Sequence, residues 1–201
     1  MRYGWPGMLA VAWLGLGAAT LPAQEQPERV RGTLTAIEGD RLTVQTRAGD
    51  TVAVRRKEGS GIFVVTPARL QDIAAGDFVG VTSIEAGGRS VALEVHLFAE
   101  DLRGVGEGRF PWDLVDEPNM MTNATVAEIA AVGEDRVLDL TWAEGEGSIF
   151  VPFDAPIVGI AQTRTPGMLM PGRAVFLMVE ASESGPLAVA TVLGEGVDPP
   201  M

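Results

Sequence analysis

Val30-Arg-Gly-Thr-Leu-Thr-Ala-Ile37-Glu-Gly-Asp-Arg-Leu-Thr-Val-Gln45 and Thr122-Asn-Ala-Thr-Val-Ala-Glu-Ile129-Ala-Ala-Val-Gly-Glu-Asp-Arg-Val-Leu-Asp-Leu140 decide the fold. Each is an alternating apolar run, a turn of Gly and acid, and a second alternating run. Val30 and Leu34, then Leu42 and Val44, recur at a period near two, the period of a half-buried strand. Gly39-Asp40 and Gly133-Glu134-Asp135 are hairpin turns. Glycine supplies the positive φ that such turns need, and Asp bonds its own backbone.

The far ends of the two stretches also match. Asp72-Ile-Ala-Ala-Gly76 leads into the apolar run Phe78–Ile84, a polar Gly turn (Ala86–Arg89) and a last strand, Ser90–Leu97. Met168-Leu-Met-Pro-Gly172 leads into Ala174–Val179, the turn Ser182–Gly185, and Pro186–Leu193. A shared period of about 90 residues predicts an internal repeat. The middle strands are expected at Thr51–Val54 with Ile62–Val65, and at Ser148–Phe153 with Ile157–Ile160. Residues 67–75 hold the one expected helical turn.

The predicted fold class is all-β. Two tandem small barrels of five to six strands, OB- or SH3-like, are related by the repeat; half of a β-sandwich is the alternative. The expected division is a signal peptide over 1–23, a first barrel over 24–100, a Gly/Pro/aromatic linker over 101–121, a second barrel over 122–196 and a tail over 197–201. In the linker, Gly104, Gly106 and Gly108 are followed by Phe110, Trp112 and Leu114, while Pro111 and Pro118 argue against regular structure.

The first 23 residues give the compartment. Arg2 precedes an uncharged apolar run, Met8–Leu21, and Leu21-Pro22-Ala23 ends it before the polar Gln24-Glu25-Gln26. That is the plan of a cleaved export signal, with cleavage after Ala23. The run is shorter than the roughly 20 apolar residues of a membrane anchor. No later run is long enough to span a bilayer, so the expected localisation is periplasmic or secreted. The chain has no cysteine, which removes disulfides, thiolate metal sites and Cys nucleophiles. Its net charge is −12, and loss of Arg2 with the leader makes it one unit more negative. Nucleic acid is an unsuitable partner for such a chain.

Several residues are candidate sites. His96 is the only histidine, and Glu94 shares its strand face, so the two form a possible metal pair. Met168 and Met170 are soft ligands that would face one side of an extended segment. Phe110, Trp112 and Asp113 form a possible recognition patch for a protein, glycan or small ligand. Their alternative role is a plug that packs on a barrel and sets the interdomain angle. Asp113, Asp116 and Glu117 are the carboxylates a hydrolase would use. No hydrolase-type Ser motif, calcium loop or cofactor motif is present, and oligomeric state is not legible.

Some of these segments carry a resemblance. Gly106-Glu-Gly108, Pro111-Trp112-Asp113-Leu114, Met121-Thr-Asn-Ala-Thr-Val126, Gly76-Asp-Phe-Val-Gly-Val81 and Ala92-Leu-Glu-Val-His96 resemble a family of uncharacterised secreted bacterial proteins. The family is built on a repeated β-domain of unknown function, and its members are often labelled metal ABC transporter permeases. The resemblance implies a fold and an exported location, with no known chemistry. A permease needs several spanning helices, which this sequence lacks after its leader. Where the family usually has His-Arg before Pro-Trp-Asp, this chain has Arg109-Phe110. The resulting expectation is a non-enzymatic exported binding or scaffolding protein without a cofactor. The alternatives are periplasmic metal handling and hydrolysis by linker carboxylates.

Overall fold

A computed structural model describes residues 28–163 and 165–199, so the expected leader lies outside the described residues, as do Pro200 and Met201. The strands are β1 (Glu28–Glu38), β2 (Arg41–Thr46), β3 (Thr51–Pro67), β4 (Phe78–Ala86), β5 (Arg89–Phe98), β6 (Gly108–Trp112), β7 (Asn119–Val132), β8 (Asp135–Trp142), β9 (Gly145–Val151), β10 (Ile157–Thr163), β11 (Ala174–Glu180) and β12 (Leu187–Gly194). Short 3-10 turns at Leu70–Asp72, Glu100–Leu102 and Pro166–Met168 are the only helical pieces among the described residues. The all-β expectation holds, and the turn expected within 67–75 is the first of these pieces. Among the described residues no helix is long and apolar enough to cross a membrane.

Alternation builds a closed barrel from β1, β2, β3, β12 and β11. The run β11–β1–β2–β3 is antiparallel, β12 lies parallel to β3, and β12 returns antiparallel to β11. Val30, Leu34, Leu42, Val44, Val54, Leu177 and Leu193 fill its interior. A second ring runs β5–β4–β7–β8–β9, all antiparallel. A short parallel contact, Ser90↔Ile149 and Val91↔Phe150, joins its ends. Val79, Val81, Val95, Leu138, Leu140 and Ile149 form its core. Strand β10 lies between the two rings, antiparallel to β3 and parallel to β5, and joins them into one sheet.

This arrangement corrects the expected division at the linker. The barrel begun by β1–β3 is completed by β11 and β12, from the far end of the chain. Strands β4 and β5 close instead with β7–β9. Neither 24–100 nor 122–196 is a barrel by itself. Alternation specifies which face of a hairpin is buried but not which other hairpin covers it.

The two rings share their pairing registers. Gly32↔Val175 and Thr33↔Ala174 stand in the first where Ala124↔Val79 and Thr125↔Phe78 stand in the second. Bulges fall after Leu34 and after Val126, and again after Met178 and after Thr82. Leu34 exchanges backbone hydrogen bonds with Arg173 (2.9 Å) and Gly172 (2.7 Å), and Val126 does the same with Asp77 (2.8 Å) and Gly76 (2.7 Å).

The linker also differs from expectation. Gly108–Trp112 is a strand despite Pro111, and among the described residues it pairs only with β7. An edge strand tolerates proline, because one side of its backbone needs no partner.

Candidate functional site

Outward-facing residues of both barrels are apolar where the barrels meet. Along β11, Val175, Leu177 and Val179 point into the first barrel, so Phe176 and Met178 point out. Along β5 and β7, Val95, Ala124 and Val126 point into the second ring, so His96, Phe98, Met121 and Asn123 point out. Val65, Leu102, Val158, Ile160, Phe176 and Val192 form a third buried cluster between the barrels. Val197 of the expected tail packs against it.

The linker closes this interface from above. Trp112 meets Phe110 edge-on at 6.0 Å and Phe176 at a tilt at 6.2 Å between ring centroids. The Arg29 guanidinium lies 3.8 Å over the Trp112 ring, and that of Arg31 lies 5.0 Å over Phe176. Asp113 pairs with both arginines, at 3.4 Å to Arg29 and 2.6 Å to Arg31. Partial burial opposes ionisation of Asp113, but the hydrogen bond from Arg31 and the charges of Arg31 and Arg29 outweigh it and hold its pKa below the usual carboxylate range. Burial lowers the Arg29 pKa against the opposing pull of Asp113. Asn119 fixes the linker turn: its Nδ2 donates to the Val115 (3.0 Å) and Glu117 (2.7 Å) carbonyls, and its Oδ1 accepts from Leu114 N–H (3.1 Å). Phe110, Trp112 and Asp113 are therefore brought together, tying β6 on the second ring to β1 and β11 on the first.

Beneath Trp112 is a cavity of about 320 Å³. Phe63, Phe98, Phe110, Trp112 and Phe176 give it aromatic walls; Leu102, Ile160, Met178 and Val192 fill in between them. Its polar end is His96 and Asn123. These two flank Gly80 across the sheet, since Gly80 pairs with His96 on one side and with Asn123 on the other. Side chains directly opposite on neighbouring strands share a face.

Both polar groups are buried. Asn123 is 9% exposed. Its Nδ2 donates to the carbonyls of Gly106 (3.1 Å) and Val105 (3.3 Å), which fixes the amide's orientation. Its Oδ1 is buried without a hydrogen-bond donor among the described residues. His96 is 4% exposed, and its Nε2 contacts the Glu94 carboxylate. A Cβ on Gly80 would stand 2.7 Å from Asn123 Oδ1, 3.0 Å from Phe98 and 3.4 Å from His96 Nδ1. These neighbours pack so closely on the backbone that only glycine fits there.

The remaining candidates do not converge. His96 and Glu94 are adjacent, as their spacing predicted. Met168 lies in a 3-10 turn and packs on the first barrel, with Thr163 Oγ1 donating to its Sδ at 3.6 Å. Met170 is 51% exposed. The two methionines thus do not share one side of an extended segment, and neither lines the cavity. Among the described residues no three of His, Cys, Asp and Glu are grouped to hold a metal ion. Asp113, Asp116 and Glu117 are exposed, and the groups paired with Asp113 are arginines rather than a second acid.

The chain matches no family model, no curated protein and no solved structure. The site is therefore read from its own residues. Sequence reasoning missed Gly80, Asn123, Phe63, Phe98 and Phe176. One signal was available: β11 is apolar at consecutive positions, which marks a strand buried on both faces. Gly80 and Asn123 stand directly opposite each other on β4 and β7, a pairing that neither strand shows alone.

Proposed function

We propose that this is an exported, non-enzymatic binding protein that holds a small, mainly apolar molecule in the cavity between its barrels. The observation that carries this reading is the pairing of aromatic walls with a single polar end at Asn123 and His96. Ligand sites are characteristically apolar clefts of this size with a few placed polar groups. The apolar run Met8–Leu21 supports export. The shared registers support descent of the two barrels from one repeated unit, with the C-terminal hairpins exchanged between copies.

Neither alternative gains comparable support. The Glu94–His96 pair has no third ligand among the described residues. The linker carboxylates face solvent or arginine.

The test uses N-phenyl-1-naphthylamine, an apolar probe that brightens when it leaves water. Titration into the purified protein should give saturable binding of one probe per chain. Val192→Phe, which fills the cavity, should weaken binding at least about tenfold. A linear, unsaturable response, or equal binding by the filled variant, would overturn the reading.

A further inference from the structure

We propose that the ligand is a planar aromatic molecule of two or three rings, held ring against ring between the barrels. This rests on the cavity reading above and names the class of molecule. Among the described residues, aromatic side chains of the two barrels touch at one place, where Trp112 on β6 meets Phe176 on β11. The other contacts stay on the side of the second barrel: Phe98 with Phe78 and His96, and Phe110 with Trp112. Phe63, on β3 of the first barrel, lines the same cavity but meets no other aromatic side chain among the described residues. Its neighbours on the wall are small. A Cβ on Gly61 would stand 2.6 Å from the Phe63 side chain, so only glycine lets it fold back along its own strand, and the cross-strand partner of Gly61 is Ala190. The cavity thus stands where a further aromatic group would join Phe63 to Phe98 and Phe110. Aromatic pairs in offset or edge-on contact gain more than the area they bury. The thioethers of Met121 and Met178, which also line the cavity, favour aromatic neighbours too. An engineered cavity of about 150 Å³ takes benzene, so about 320 Å³ suits two or three rings. A saturated body of the same carbon count gains only by leaving water.

The experiment displaces N-phenyl-1-naphthylamine with naphthalene and with its saturated counterpart, decahydronaphthalene. Each affinity is divided by the compound's partition constant from water into cyclohexane, which removes the gain from leaving water. On that scale naphthalene should bind about tenfold or more tighter. Phe63→Leu keeps an apolar side chain but removes the unpaired aromatic group. It should cost naphthalene about threefold or more and leave decahydronaphthalene within about twofold of its original affinity. Equal or tighter binding of the saturated compound on that scale, or an equal loss of both in Phe63→Leu, would overturn the aromatic inference and leave the cavity reading standing, since the probe still binds. Failure of the probe itself to bind would remove both. The comparison of the two compounds on the unaltered chain does not require the variant to fold.

Discussion

Asp113 shows how little a residue's type says about its task. It was a candidate for catalysis or recognition, yet its carboxylate sits between Arg29 and Arg31. Asp113→Asn should destabilise the fold by about 1 kcal/mol, because two neighbouring guanidiniums lose their counter-charge. Its folded pKa is held below the ordinary value by Arg31 and Arg29 against partial burial. The stability it contributes is therefore complete above the unfolded carboxylate pKa of about 4, and is lost as pH falls through the lowered folded value. Thermal denaturation of the two proteins should differ at neutral pH and converge in strong acid. Leu34, fully buried in the first barrel, tests the core instead: Leu34→Ala should cost about 2–5 kcal/mol in chemical denaturation. His96 was a candidate metal ligand with Glu94. It is buried, because β5 has partners on both sides, β4 on one and β10 with β9 on the other. Its spacing from Glu94 revealed their contact, whereas its place opposite Gly80 depends on register that no single strand displays.

Hairpins were legible where period-two alternation met a Gly-and-acid turn, and β1–β2, β4–β5, β7–β8 and β11–β12 all form as their sequences predict. Two elements departed from that reading. Strand β3 runs unbroken from Thr51 to Pro67, across the polar stretch Arg55-Arg-Lys-Glu-Gly-Ser60, because its first half pairs with β2 and its second with β10, while β12 runs beside both. Strand β6 forms in a segment whose prolines argued against it, and it is held by β7 on one side and by Trp112 on Phe176 on the other. Trp112→Ala should thus loosen the strand as a unit. We expect a loss of about 1–3 kcal/mol, less than for a fully buried tryptophan. Hydrogen exchange should quicken at the β6 amides and leave β8 and β9 protected.

At the scale of the molecule, the tandem picture failed for a topological reason. Two copies of a β-unit have the same strands and turns whether each closes on itself or trades its last hairpin. The choice is made by the connection from β3 to β4 and by β10, which runs between the rings. A nick in the exposed turn after Val115 discriminates the two arrangements. In a tandem protein the pieces 28–115 and 116–199 would drift apart. Here each barrel draws strands from both pieces, so the nicked chain should keep the mass of the whole in native mass spectrometry and separate only in denaturant.

The interleaving of the strands also imposes an order in time. During synthesis β1, β2 and β3 emerge first, but the strands that close their barrel, β11 and β12, emerge last. The second ring has all five of its strands once Val151 is made. It can close while the first barrel is still an open three-stranded sheet, with Leu34, Leu42 and Val54 uncovered and two edges free to pair with a neighbouring chain. The earliest part of the chain to be born is the last to be finished. Until residues 174–194 are made, a sticky half-barrel is left exposed.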